Sequence, residues 1–221
     1  MKKTITFISI VVVASLIAIS CKKKTTTTTP ATTSTTGTST PPVVSISSTP
    51  QVSYNLAGTN YTYVSGSAIE AASGASGSAS STPGVNGSKI YSADLDNGSN
   101  ITYLNINWGT LSFPFGSVIP DTATFRHFFT LGSKLYSPGG VNGVEVSTYD
   151  ASGTAWSTSL GAGTQTSSTF SVVAVQQQYL LGPSGDQYMK FMAKFSCTLY
   201  NSSGGSKSLT NGVFVGYFEN M

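Results

Sequence analysis

The side chains best suited to covalent or acid–base chemistry are scarce in this chain. Its 221 residues include one histidine, His127, and two cysteines, Cys21 and Cys197. A Ser–His–Asp triad would have to use His127, but no Gly-x-Ser-x-Gly elbow that would present a nucleophilic serine occurs. The alternation of apolar residues around His127 predicts a packed or edge histidine on a strand. Cys197 falls on an apolar strand face, which predicts a buried and unreactive thiol.

Paired carboxylates are the other common route to catalysis. Glycoside hydrolysis needs two facing carboxyl groups, roughly 5–9 Å apart. The chain after residue 50 offers Glu70, Glu145 and Glu219 together with five aspartates. Charged residues make up only 9% of the chain, which argues against a crowded polar active site. We therefore expect no catalytic residue and no cofactor, and a glycan-active hydrolase is only our third hypothesis.

One short acidic segment is similar to the start of a calcium loop. The segment Asp94-Leu95-Asp96-Asn97-Gly98 places carboxylates at positions 1 and 3 of such a loop. The EF-hand pattern needs glycine at position 6 and glutamate at position 12. Here glycine falls at position 5 and Asn105 at position 12, so the pattern fails. We expect a hairpin turn without metal, and an irregular calcium site is the alternative.

Aromatic side chains favour a binding role. Flat rings commonly stack on sugar rings, and hydroxyl-rich loops suit hydrogen bonding to polyols. Trp156 follows a predicted turn, and Tyr188 and Tyr200 lie on the outward face of a predicted strand, so these three residues are our candidate ligand surface. Trp108 alternates with aliphatic residues and is predicted to lie in the core.

The charge distribution argues against nucleic-acid binding. The formal net charge is +3, but five of the 11 basic residues lie within the first 24 positions. From residue 51 onward there are six basic and eight acidic residues, without a basic stripe. The electrostatic footprint of a nucleic-acid partner is therefore missing. The two cysteines also exclude a disulfide-dense mini-protein and a multi-cysteine zinc module.

The first 20 residues have the layout of a secretory signal peptide. Met1-Lys2-Lys3 precedes an apolar run from Ile5 to Ile19, which is shorter than the roughly 20 residues of a membrane span. Small residues leading into Cys21 resemble the bacterial lipobox. The resemblance implies cleavage before Cys21 and attachment of a lipid to its thiol, which anchors the protein in the membrane. Lys22, directly after the cysteine, implies transport to the outer membrane. An uncleaved N-terminal anchor and cleavage by the ordinary signal peptidase are the alternatives.

Residues 21–50 form the predicted membrane tether. Residues 25–50 contain 12 Thr, 5 Ser and 4 Pro and no charged residue. This composition cannot bury an apolar face, so we expect an extended or disordered linker that reaches about 80 Å. Further along, Asp121-Thr122-Ala123 resembles the short D-(S/T)-apolar O-glycosylation motif of Bacteroidota. That resemblance implies Thr122 as a candidate glycosylation site.

Residues 51–221 have the pattern of an antiparallel β domain. β-branched and aromatic residues recur between turn residues, which favours strands, and we expect the run 65–80 to be a long mobile loop. Roughly ten short strands predict an all-β, two-sheet sandwich, either immunoglobulin-like or jelly-roll-like. The predicted strands are 52–57, 60–64, 89–94, 101–108, 124–131, 144–149, 154–159, 169–176, 187–200, 206–210 and 212–218.

One predicted hairpin turn has a distinct signature. Asp150 at the first position and Gly153 at the fourth fit a type I turn closed by a left-handed residue. The Gly153-x-x-Trp156 spacing also comes close to the Asp-box hairpin of sialidases. Because Asp150 lies one residue too far from Gly153 for that motif, we expect a plain hairpin.

The layout from Cys21 onward resembles small β-sandwich lipoproteins of Bacteroidota. The resemblance rests on the signal with Cys21, on the hairpin over 144–159, and on Phe195–Tyr200 followed by Leu209–Gly212. It implies the fold, the location in the cell envelope and the lipid on Cys21, but no other functional residue. We therefore expect a non-catalytic domain that has an interaction or structural role and contacts a glycan or an envelope protein. A carbohydrate-binding surface module is the alternative.

Overall fold

The computed structural model describes residues 44–97, 102–160, 164–179 and 187–221. The predicted signal peptide, Cys21 and most of the linker lie outside these ranges. The helical elements are α1 (Thr122–Phe128) and a 3₁₀ turn at Pro138–Gly140. The strands are β1 (Gln51–Leu56), β2 (Thr59–Val64), β3 (Glu70–Ser78), β4 (Gly87–Asp96), β5 (Thr102–Phe113), β6 (Gly132–Ser133), β7 (Val144–Tyr149), β8 (Ala155–Ser157), β9 (Thr169–Tyr179), β10 (Gln187–Tyr200) and β11 (Ser206–Glu219).

The strands of the described ranges join into one antiparallel sheet of eleven strands. The main path runs β2-β1-β11-β10-β8-β7-β5-β4-β3, and β9 pairs with β10 and with β6. The sheet curls into a half-barrel. The curl brings β3 against the end of β11, where the Tyr217 hydroxyl donates to the Ala71 carbonyl at 2.9 Å. The all-β antiparallel prediction is confirmed, whereas the division into two stacked sheets stays a prediction.

The hairpin of β10 and β11 follows its sequence pattern closely. β10 occupies the predicted range 187–200, and the face that carries Met189, Phe191 and Leu199 is buried. β11 is one strand where two segments were predicted. The break between them corresponds to Asn211, which has a φ of +55°, opposite a register shift between Phe195 and Cys197. A bulge therefore interrupts the ladder without ending the strand.

β3 corrects the prediction of a mobile loop over 65–80. Its sequence, EAASGASGS, lacks the large apolar residues that mark a strand. Small residues are needed here because β4 lies very close. A Cβ on Gly77 would lie 2.1 Å from the Ser88 carbonyl oxygen, and one on Gly74 would lie 2.7 Å from the Ser92 hydroxyl.

α1 corrects the predicted strand over 124–131. Asp121 caps the helix, since its Oδ1 accepts a hydrogen bond from Thr124 N–H at 3.0 Å. Phe125 and Phe129 are both buried, and their spacing of four residues matches a helix face. Within the part of the chain that the structure describes, no helix is long and apolar enough to span a membrane.

Aromatic rings fill the centre of the curled sheet. The predicted core position of Trp108 is confirmed, because the side chain is 3% exposed. Its ring centroid lies 5.8 Å from that of Phe191 on β10 and 5.5 Å from that of Phe218 on β11. Such pairs contribute about 0.5–1.5 kcal/mol beyond the burial of their surface. The packed core thereby fixes β5, β10 and β11 relative to one another.

Candidate functional site

A cleft of about 490 Å³ opens between several separate segments of the chain. Its walls are β1, β2, the start of β5, the turn after β7 and the start of β11. Five tyrosines contribute to the lining, and the charged residues among the described lining are Asp150 and Lys207. The tyrosines are Tyr54, Tyr61, Tyr63, Tyr103 and Tyr149.

The cleft exists because β2 is the last strand of the main path. Tyr61 lies opposite Tyr54 and Tyr63 lies opposite Val52, so these side chains share one face of the β1–β2 hairpin. On β1 that face is buried, with Tyr54 only 5% exposed. On β2 the same face extends beyond the core, and Tyr61 and Tyr63 are half-buried. The edge strand thus turns two aromatic rings toward the open cleft.

Three of the tyrosine rings form a compact cluster. The ring centroids of Tyr54 and Tyr61 are 5.3 Å apart, those of Tyr61 and Tyr63 are 6.3 Å apart and those of Tyr54 and Tyr63 are 6.4 Å apart. Tyr63 stacks on Tyr103 of β5 at a centroid distance of 4.0 Å. Tyr149 is 45% exposed beside the turn after β7. The cluster offers apolar ring surface with hydroxyl groups at its edges.

Hydrogen bonds hold the Tyr103 wall in place. The hydroxyls of Tyr54 and Thr148 both donate to the Tyr103 carbonyl, at 3.1 and 2.6 Å. Burial raises the pKa of Tyr54 and of Tyr63 above the ordinary value for tyrosine. These phenols therefore stay protonated at neutral pH, as donors and acceptors without charge.

Asp150 organises the turn that closes one side of the cleft. Its Oδ1 accepts hydrogen bonds from the N–H groups of Ser152 and Thr154, at 3.0 and 3.1 Å. The N–H of Gly153 donates to the Asp150 carbonyl at 2.8 Å, and Gly153 has a φ of +76°. The predicted turn with a left-handed fourth residue is confirmed. It sets the position of the neighbouring Tyr149.

The second carboxylate oxygen of Asp150 joins Trp156 and Lys207. It accepts a hydrogen bond from the Trp156 indole at 2.9 Å and from the Lys207 ammonium at 3.1 Å. Lys207 Nζ also lies 3.8 Å from the centroid of a Trp156 ring, a cation–π contact. Hydrogen bonds hold the pKa of Asp150 well below its usual range, and the bond from the Ser152 side chain contributes most. The anion and the cation of the described lining thus neutralise each other.

The three aromatic residues chosen from the sequence do not form one surface. The expectation that Trp156 is exposed is wrong: Asp150 and Lys207 hold its indole, which is 7% exposed. Tyr188 and Tyr200 are half-buried at opposite ends of β10, about 40 Å apart at ~3.3 Å per residue. The Tyr188 ring packs against Tyr217. One small ligand cannot contact both tyrosines.

His127 and Cys197 take no part in the cleft. His127 is exposed on α1, so the prediction of a strand histidine is wrong, because the segment is a helix. Cys197 is buried, as predicted, at 4% exposure. Burial raises the pKa of its thiol to about 12. The thiol therefore stays protonated at neutral pH, and the nucleophilic thiolate does not form.

The acidic segment considered for calcium belongs mainly to a strand. Asp94 and Asp96 lie on β4, and Gly98 lies outside the described residues. Burial, and secondarily a hydrogen bond with Asp96, raises the pKa of Asp94 to about 6. Among the residues that the structure describes, no group of three or more His, Cys, Asp or Glu side chains is placed to hold a metal ion.

Thr122 begins α1 and is half-buried. Its hydroxyl accepts a hydrogen bond from Gln187 Nε2 at 2.6 Å. Modification of this hydroxyl would displace the Gln187 side chain. O-glycosylation of Thr122 stays a prediction.

The residues that sequence reasoning missed are the cleft tyrosines. Tyr61 and Tyr63 carry a local signal, because two aromatic residues spaced by two share one face of a strand. No comparable signal ties them to Tyr103 or Tyr149, which come from other strands. When the chain is compared with family models, curated proteins and solved structures, none of them matches it.

Proposed function

We propose that this protein is an exported lipoprotein whose β domain binds a glycan in the tyrosine-lined cleft and performs no reaction on it. The single observation that carries the proposal is the convergence of five tyrosines on one concave surface. Ligand sites are typically concave, with aromatic walls and a few oriented polar groups. The cleft has both features.

The chemistry of the lining suits sugars. The C–H groups on one face of a pyranose pack on aromatic rings, while its hydroxyls need donors and acceptors around the rim. The phenols of Tyr61 and Tyr63, with Thr59 on the same strand face, supply such groups. Asp150 and Lys207 add a fixed polar edge at the other wall.

The carboxylates support binding without hydrolysis. Asp150 is the one carboxylate among the described lining residues, and five hydrogen bonds already engage it. Glu145 lies outside the lining, and its Oε1 accepts hydrogen bonds from the hydroxyls of Ser157 and Ser159. The two facing carboxyl groups of a glycosidase therefore have no counterpart in this lining.

Affinity electrophoresis in gels containing single polysaccharides tests the proposal. The detergent-solubilised full chain should be retarded by at least one polysaccharide. The Tyr61→Ala variant should lose most of that retardation, because stacking on one aromatic ring contributes on the order of 1 kcal/mol or more. Tyr200→Ala, which alters a half-buried tyrosine outside the cleft lining, is the matched control. Equal retardation of Tyr61→Ala and wild type would exclude the cleft, and sugar release from the gel would favour the hydrolase hypothesis.

The membrane anchor is the second part of the proposal, and the lipobox-like sequence before Cys21 supports it. A lipid on Cys21 and the adjacent lysines would supply the two signals that stable membrane attachment needs. The Cys21→Ala variant should accumulate unprocessed or soluble, measured by detergent phase partitioning and intact mass. A variant that partitions like the wild type contradicts the lipid anchor. The outer membrane is the proposed location, and fractionation of the envelope tests it.

We also propose that the curled sheet has two arms, one containing β5 and the other containing β10 and β11, which act as the two layers of a sandwich. The contacts of Trp108 on β5 with Phe191 and Phe218 on β10 and β11 support this arrangement, because they join strands from the two arms across the core. An experimental structure with no such contact across the core would contradict it.

A further inference from the structure

We infer that the tyrosine cleft selects a neutral glycan chain over one that carries carboxylate groups. The inference rests on the proposed function and deepens it by naming the class of ligand. Two features carry it: the internal pairing of the cleft charges and the fixed position of the Asp150 carboxylate.

The pairing of Lys207 leaves no free cation among the described lining residues for an acidic sugar. Its ammonium group is 3.1 Å from the Asp150 carboxylate and 3.8 Å from the centroid of a Trp156 ring. The side chains of Lys207 and Asp150 are only 27% and 23% exposed. A uronate that approached Lys207 would also approach Asp150, which repels it. Specificity of this kind comes from the unfavourable contact with the wrong ligand.

The turn prevents Asp150 from moving aside. Its Oδ1 is bound by the N–H groups of Ser152 and Thr154, and its Oδ2 by the Trp156 indole. Rotation of the carboxylate toward solvent would break all of these bonds together. The negative charge is therefore a fixed part of the cleft wall. A neutral sugar carries no charge and avoids this repulsion.

Calorimetric titration of the detergent-solubilised full chain tests the inference. The ligands are two forms of the same backbone, one with free C6 carboxylates and one in which these are methyl-esterified or reduced to alcohols. We expect the neutral form to bind at least about tenfold more tightly, since like charges in contact disfavour the wrong ligand strongly.

Two variants locate the cause of the selectivity. Asp150→Asn removes the repelling charge and should lower the preference for the neutral form, provided that thermal melting shows a folded protein. Lys207→Gln leaves Asp150 unpaired and should increase the preference. If Lys207→Gln decreases it, or if Asp150→Asn leaves it unchanged, the charge of Asp150 does not cause the selectivity and the inference is overturned.

The outcomes separate the inference from the proposed function. Equal or tighter binding of the carboxylated form, with loss of binding in Tyr61→Ala, overturns the inference and keeps the glycan-binding function. Binding of neither form of any backbone overturns both.

Discussion

Asp94 and Asp150 show how the surroundings of a carboxyl group control its charge. Asp150 accepts hydrogen bonds from several donors, which hold its pKa well below the usual range. Asp94 lies half-buried on β4 beside Asp96, and its pKa rises to about 6, mainly through burial. The two groups therefore change the stability of the fold in opposite directions as the pH changes.

The Asp94→Asn variant should be more stable than the wild type at pH 7. Between pH 3.8, the ordinary pKa of Asp94, and about 6, its pKa in the folded protein, the folded state binds more protons than the unfolded chain. Stability attributable to Asp94 is therefore present below this window and is lost as the pH rises through it. Thermal unfolding at pH 3.5 and at pH 7 should show a gain for Asp94→Asn only at the higher pH.

Asp121→Asn is the matched control for this measurement. Asp121 is exposed at the start of α1, and hydrogen bonds from Thr124 lower the pKa of its carboxyl group. Asparagine caps helices about as well as aspartate does, so we expect no gain in stability at pH 7. A gain of equal size in both variants, or none in Asp94→Asn, would contradict the raised pKa of Asp94.

At the scale of the element, β3 can form a strand beside β4 because its residues are small. Gly77→Ala should destabilise the domain by about 1–3 kcal/mol, because Gly77 has a φ of +131° and an added Cβ would meet the Ser88 carbonyl at 2.1 Å. Gly66→Ala is the control, since nothing lies within 4 Å of a Cβ there. Urea unfolding of both variants measures the difference. Equal stability of the two variants would show that β3 does not pack on β4 at Gly77.

The same element explains where prediction from the sequence fails. Strands with a large apolar face, such as β10, were predicted to the residue because burial imposes their alternation. β3 has almost no apolar side chains, and its place depends on close backbone approach to β4. α1 was missed because Phe125 and Phe129 fit both an alternating strand and a helix face. The Asp121 cap, directly after Pro120, was the local signal that favours the helix.

At the scale of the whole molecule, the curl of the sheet creates the cleft. It brings Tyr103 of β5 to within stacking distance of Tyr63 on β2, although 40 positions separate them in the chain. The sequence showed that tyrosines were abundant, but their convergence depends on how far the sheet curls. Local patterns do not specify that quantity. The candidate surface chosen from the sequence therefore contained none of the cleft tyrosines.

Glycan binding in the cleft is tested most directly by a nuclear magnetic resonance titration. The full chain, labelled with ¹³C-tyrosine, is titrated with a fragment of a polysaccharide that retards the protein in gels. Tyrosine-to-phenylalanine variants assign the ring signals. If the glycan binds in the cleft, the signals of Tyr61, Tyr63 and Tyr149 shift together as the glycan concentration rises, while those of Tyr188 and Tyr200 stay fixed. Shifts confined to Tyr188 or Tyr200, or unchanged cleft signals with the glycan at saturation, would contradict a binding site in the cleft.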